Sequence, residues 1–179
     1  MAGTIDAKQC RITHYPAEVL GQRARPVEQI DDNIRELVEK MTDIMIEHKG
    51  VGLAAPQAGV PLRLFIICLD GTRQSRKVYV NPTISPEGEL VGFEEGCLSV
   101  PGVNTTIRRY SRCKVTATDL DGKEFSDEGE GLYARALQHE YDHIEGITIV
   151  NRMTQAARII HRRQIKKLSE RKEHSGKSG

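Results

Sequence analysis

The chain has 179 residues and a net charge of +1, and that length suits a single domain, since about 150 residues bury roughly 70% of their unfolded surface. Its longest apolar run, Leu64 to Leu69, is too short to cross a bilayer, and Cys10, Cys68, Cys97 and Cys113 form no C-x-x-C pair; with no secretory leader pattern at the N-terminus, a cytoplasmic protein without membrane contact is expected. The neutral total hides an asymmetry: residues 152 to 179 hold nine Lys or Arg and two Glu, a net +7, which leaves −6 on the other 151.

In chain order, residues 1 to 9 show no apolar period and read as a loose end, and residues 10 to 15 as a short extended segment before Pro16. From Pro26 to His48, Val27, Ile30, Ile34, Leu37, Val38, Met41, Ile44 and Met45 recur at three and four, which predicts an amphipathic helix stopped by Lys49-Gly50. The stretch Gly50-Val51-Gly52-Leu53-Ala54-Ala55-Pro56-Gln57 follows as a loop whose small residues let backbone approach a ligand, with Gln57 supplying an amide donor. Residues 63 to 69 and 77 to 84 read as strands, the second interrupted by Asn81-Pro82; residues 90 to 93 and 113 to 119 read as two more, with Asp121-Gly122 turning into a strand over 124 to 128. Residues 132 to 144 predict a helix, 147 to 150 a short strand, and 154 to about 171 a final helix. An apolar stripe of Ala156, Ile159, Ile160, Ile165 and Leu168 lies on that helix against a basic face of Arg162, Arg163, Lys166 and Lys167, and 175 to 179 form a flexible tail. The fold class that results is α+β, antiparallel strands around a central helix with a C-terminal helix. Residues 1 to 153 are expected to form the body of one domain and 154 to 179 a helix and tail of the same domain.

The chemistry concentrates in Leu137-Gln138-His139-Glu140-Tyr141-Asp142-His143. His139 and His143 stand four apart, on one helix face, where a pair grips one metal ion, and Glu140 sits where its carboxylate reaches a water without ligating the metal, the place of a general base. A third ligand is available upstream in Glu94-Glu95-Gly96-Cys97-Leu98-Ser99, where Cys97 offers a soft thiolate. Two His and one Cys leave a fourth position open, as in catalytic sites, and this donor set suits zinc and ferrous iron alike. Asp142 supports the ligand helix or pairs with basic groups and is not read as catalytic.

These three segments resemble peptide deformylases, which carry G-x-G-L-A-A-x-Q, E-G-C-L-S and Q-H-E-x-D-H in that order; the chain reads the same at 50 to 57, 95 to 99 and 138 to 143. The resemblance runs from about residue 10 to about residue 155 and has the compact bacterial or organellar layout. It implies a metallo-hydrolase that removes the N-formyl group from the N-terminal formylmethionine of new polypeptides and releases formate. It further implies one divalent metal on Cys97, His139 and His143, iron in the cell with zinc, nickel or cobalt as substitutes. Glu140 would be the proton carrier, and Gln57 and the Leu98 N–H the oxyanion donors. By position, Val51, Phe93, Leu132, Arg135, Ala136 and His139 line the methionine pocket, with Gly52 contacting the substrate through its backbone. The chain departs from the family at Asn104, often arginine, and at Asn151, often aspartate. A general metalloendopeptidase shares H-E-x-x-H but takes its third ligand downstream, and a non-catalytic ribosome-binding module would not need the metal set. The basic C-terminal helix admits two readings, docking on the ribosome by phosphate neutralisation or a solvated helix that only packs its stripe on the body.

Overall fold

The computed structural model describes residues 7–175. Helix α1 runs Asp32–Glu47, and Asp31 caps it by accepting the Ile34 N–H at 3.0 Å. It starts six residues after the expected Pro26 because Val27 is engaged elsewhere: its N–H and C=O each bond the Asn81 side chain at 2.8 Å. At the other end Lys49 takes a left-handed φ of 55° and the Gly50 N–H returns to the Met45 carbonyl at 2.9 Å, closing the helix and launching the glycine-rich segment.

That segment is not all loop. Strand β1, Gly52–Ala54, pairs antiparallel with β2, Leu64–Ile67, and is followed by a 3-10 turn over Ala55–Ala58. Strand β3 spans Lys77–Gly96, merging the two strands expected at 77 to 84 and 90 to 93. Pro82 lacks an N–H for the ladder, and the sheet absorbs it at an irregularity between Val80 and Thr83; a second falls between Glu87 and Leu90, where Gly88 adopts φ 84°. Strand β4, Asn104–Thr118, begins nine residues before the expected Cys113, and β5, Glu124–Glu130, follows a turn in which Asp119 Oδ1 accepts the Asp121 and Lys123 N–H groups at 2.9 Å. The five strands form one antiparallel sheet in the order β1-β2-β3-β4-β5.

Strand β2 is buried on both faces, and its alternation sorts two cores. Leu64 and Ile66 pack with Leu37, Met41 and Met45 of α1, while Phe65 and Ile67 pack with Ala134, Leu137 and Ile144 of helix α2, Gly131–Ile144. The helix expected at 132 to 144 thus lies across the sheet face opposite α1.

The strand expected at 147 to 150 is replaced by a short helix, α3, Ile149–Arg152, because Asn151 Oδ1 accepts both the N–H and the hydroxyl of Thr148 at 2.9 Å and caps a turn there. Helix α4, Gln155–Ser175, packs Ala157, Ile165 and Leu168 against Val100, Val103, Ile107 and Met153. Its expected apolar stripe is corrected: Ile159 and Ile160 are 68% and 76% exposed, because a turn of 100° per residue from Leu168 and Ile165 carries them off the packed face. Of the loose N-terminus, residues 7 to 9 form a 3-10 turn; the rest of it, and 176 to 179 of the expected tail, lie outside the described residues.

Candidate metal centre

Helix α2 places His139 and His143 on the face turned to the end of β3, where the chain bends through Cys97 and the Val100 N–H closes the turn on the Cys97 carbonyl at 2.9 Å. Cys97 Sγ stands 3.3 Å from His143 Nε2, which stands 3.3 Å from His139 Nε2, and the three donor atoms lie within 4.8 Å of one another. The rings meet edge to face at 71°.

His139 has its tautomer set by its neighbour. Its Nδ1 lies 3.1 Å from Glu95 Oε2, so the N–H points to the carboxylate and the Nε2 lone pair to the cluster. Arg109 holds Glu95 in turn, with Nε 2.7 Å from Oε1 and a terminal nitrogen 3.0 Å from Oε2, and reaches Asp142 at 2.8 Å. Burial would raise the Glu95 carboxyl, but the hydrogen bonds of His139 and Arg109 outweigh it and hold the group down to about 2. Asp142 also accepts from Arg152 of α3, so it ties α2 to β4 and α3.

The donor set fits a metal ion. A cysteine sulfur and two imidazole nitrogens converge at closest approaches of 3.3 Å, and with the sulfur deprotonated their lone pairs at this spacing favour a cation among them. Within the same site Glu140 Oε2 and His143 Nδ1 are buried without a hydrogen-bond partner. The Glu140 side chain is almost wholly enclosed, and burial pushes its carboxyl up to about 7. Gln57 has a fixed sense: its Oε1 accepts the Ala54 N–H at 2.8 Å, which turns the NH2 toward Cys97 Sγ at 3.5 Å.

The centre opens onto a cleft of about 420 Å³ walled by Val51, Gly52, Gln57, Cys97, Leu98, Leu132, Arg135, Ala136, His139 and Glu140. His143 meets the other two donors as expected and lies behind the cleft wall, and one expected pocket residue is placed otherwise. Phe93, 56% exposed, lies outside the lining, its ring 4.4 Å beneath the Arg135 guanidinium. Arg135 is therefore not a plain surface arginine: its side chain is only 11% exposed and it donates to the Ile107 carbonyl at 3.3 Å. Lys49, Glu94 and Asn104 also stand on the cleft wall, and neither their place there nor the role of Arg109 was expected from the sequence. For Glu95 a signal existed, since strand alternation puts it on the same face as Phe93, but Arg109 carries none.

The family model for polypeptide deformylases matches residues 9–158. The peptide deformylase of Neisseria meningitidis serogroup B is 41% identical over 165 residues, covering 92% of this chain and 96% of its own. The solved peptide deformylase of Legionella pneumophila superposes with a TM-score of 0.85 at 41% identity, covering 92% of this chain and 97% of that one. An Arabidopsis thaliana peptide deformylase in complex with an inhibitor gives 0.88 at 35%, covering 92% and 93%. With motif order, fold and donor set in agreement, the chain belongs to the peptide deformylase family, metallo-hydrolases that remove the N-formyl group from newly made polypeptides.

Proposed function

We propose that Cys97, His139 and His143 hold one divalent metal ion, Fe2+ in the cell with Zn2+, Ni2+ or Co2+ able to replace it, and that Glu140 is the proton carrier of formyl-amide hydrolysis. The observation that carries this reading is the meeting of the three donors with Glu140 and the Gln57 NH2 at one end of a single cleft. When bound, the metal supplies Lewis acidity that brings water into the range of deprotonation near neutral pH. Glu140, buried in the cleft beside the three donors, takes the proton from the attacking water and returns it to the leaving amine. The Gln57 NH2, held by the Ala54 N–H on its other end, and the Leu98 backbone N–H stabilise the oxygen as negative charge develops on the formyl carbon's tetrahedral state.

Val51, Leu132, Ala136 and the stem of Arg135 form the pocket for the methionine side chain. Phe93 supports Arg135 from outside, and Gly52 offers backbone to the substrate. Anaerobic formate release from a short formyl-Met peptide, with metal content measured on the same sample, tests this function; a metal-loaded protein that releases none would overturn it.

Residues 1 to 153 act as the catalytic part of one domain to which α4 is packed through Leu168 and Ile165. The exposed Arg162, Arg163, Lys166 and Lys167, with Ile159 and Ile160 beside them, fit a ribosomal surface rich in phosphates. A cytoplasmic setting suits that partner and the four free cysteines. Among the described residues no helix is long and apolar enough to cross a membrane.

A further inference from the structure

Helix α2 is held at three levels, and the first of them differs from the others. At mid-helix, Gln138 exchanges hydrogen bonds of 3.0 and 2.9 Å with the backbone of Tyr110, and near the C-terminal end Asp142 is clamped by Arg109 and Arg152. The first turn has no such backing from its cap: the N-cap Glu130 makes no side-chain bond to the turn, and Gly131 enters at φ 57°. Yet this turn and the next carry Leu132, Arg135 and Ala136, three members of the cleft wall.

Tyr133 supplies the missing anchor. Its hydroxyl donates to Asp127 Oδ2 of β5 at 2.6 Å and accepts from the hydroxyl of Tyr79, a fully buried residue of β3 stacked on Phe65. Lys77 Nζ closes on the same Asp127 carboxylate at 2.6 Å and lies 4.9 Å from the centre of the Tyr133 ring. Gly129 makes room for the arrangement, because a Cβ there would run into the Tyr133 ring. The chain Tyr79, Tyr133, Asp127, Lys77 thus links the uncapped turn to two strands of the sheet, and both strands grip the hydroxyl of Tyr133.

We propose that Tyr133 is a positioning residue for the methionine pocket: the hydrogen bonds of its hydroxyl to Tyr79 and Asp127 fix the first turn of α2 and so the place of Leu132 and Ala136 in the cleft wall. This rests on the deformylase reading of the cleft, and formate release by the unmutated protein establishes that reading independently.

The test is Tyr133→Phe, which keeps the ring against Gly129 and removes only the hydroxyl. KM for a formyl-Met peptide rises about fivefold, the weight of one hydrogen bond, while kcat stays within about twofold and metal content is unchanged. The preference in kcat/KM for formyl-Met over formyl-Ala peptides falls by a similar factor, since the mispositioned wall affects only a side chain long enough to reach it. Asp127→Ala, which deletes the acceptor and leaves Tyr133 intact, shifts KM and preference in the same direction. Lowered thermal stability in both variants with KM and preference unchanged would make Tyr133 a structural residue only and overturn the proposal; so would a fall confined to kcat.

Discussion

The Glu140 carboxylate lies against the α-carbon of Gly52, so close that a Cβ built on that glycine would stand 2.5 Å from Oε1 and 2.9 Å from the carboxyl carbon. Gly52 is not in a left-handed conformation; glycine is needed there for space alone. Gly52→Ala must therefore push the carboxylate away from the metal donors, and a displacement of about 1 Å in a reacting group costs on the order of 10²-fold in turnover. Metal content should stay at the unmutated level, and turnover on a formyl-Met peptide within twofold of normal would show that the carboxylate's place is immaterial.

Glu140→Gln keeps the shape of the side chain and the three donors but cannot carry a proton. Turnover is expected to fall by about 10²–10⁴-fold, the usual worth of a positioned acid–base group, with metal bound as before. Near-normal turnover in a metal-replete sample would remove Glu140 from the role of base.

Cys97→Ser exchanges a soft thiolate for a hard, weakly acidic hydroxyl. Metal content after dialysis against a competing chelator should drop, and the preference among Fe2+, Zn2+ and Ni2+ should change. If affinity and selectivity both hold, Cys97 is no ligand. With Fe2+ bound, the unmutated protein should lose activity in air through oxidation of the ion or the thiolate, and the Zn2+ form should be more durable.

Asp127 gives the fold a pH signature away from the metal. Burial works to raise its carboxyl, but the hydrogen bonds from Lys77 and Tyr133 prevail and hold it below its ordinary 3.8. A depressed native value means that the stabilisation is whole above 3.8 and is lost as the pH falls through the lower native value. Asp127→Asn should therefore be less stable at pH 7 by about 1 kcal/mol, and the gap to the unmutated protein should narrow below about pH 4. Denaturant melts at pH 7, 5 and 3 measure it; a gap independent of pH would mean that packing, not charge, makes the difference.

Charge reversal at Arg162, Arg163, Lys166 and Lys167 probes the outer face of α4 without touching Ile165 or Leu168, which pack on the body. Turnover on a short formyl-Met peptide should be unchanged. Co-sedimentation with ribosomes should weaken, and in the unmutated protein it should fall steeply with salt, as phosphate contacts require. Equal sedimentation of both proteins at low salt would rule out docking through this helix.

The sequence exposes those parts of the site that are local or periodic. His139, Glu140 and His143 fall within five residues on one helix, so their relation follows from the turn of an α-helix alone, and the buried spacing in α1 does the same for its core face. Arg109 has no such mark, because its partners Glu95 and Asp142 come from β3 and α2 and meet it only once the sheet has packed on the helix. Pro82 and Gly88 make β3 look like two strands, since each is a breaker unless a bulge absorbs it. At Thr148, a side-chain cap from Asn151 turned a short apolar run, extended by pattern, into helix α3. On α4, Ile159 and Ile160 satisfy a hydrophobic stripe by type, but only the position of the body decides which side of a helix is covered.

Strand β5 ends the sheet, and its outward row is Glu124, Ser126, Glu128 and Glu130, all exposed. An open sheet edge invites a second strand to add to it, and flat apolar edges are where chains stick to one another. Here two copies meeting edge to edge would bring rows of carboxylates into register, and their repulsion opposes the pairing that the free backbone groups would otherwise favour. Colloidal stability near neutral pH is thus built into the same strand that, through the inward-facing Asp127, holds the helix of the reactive centre.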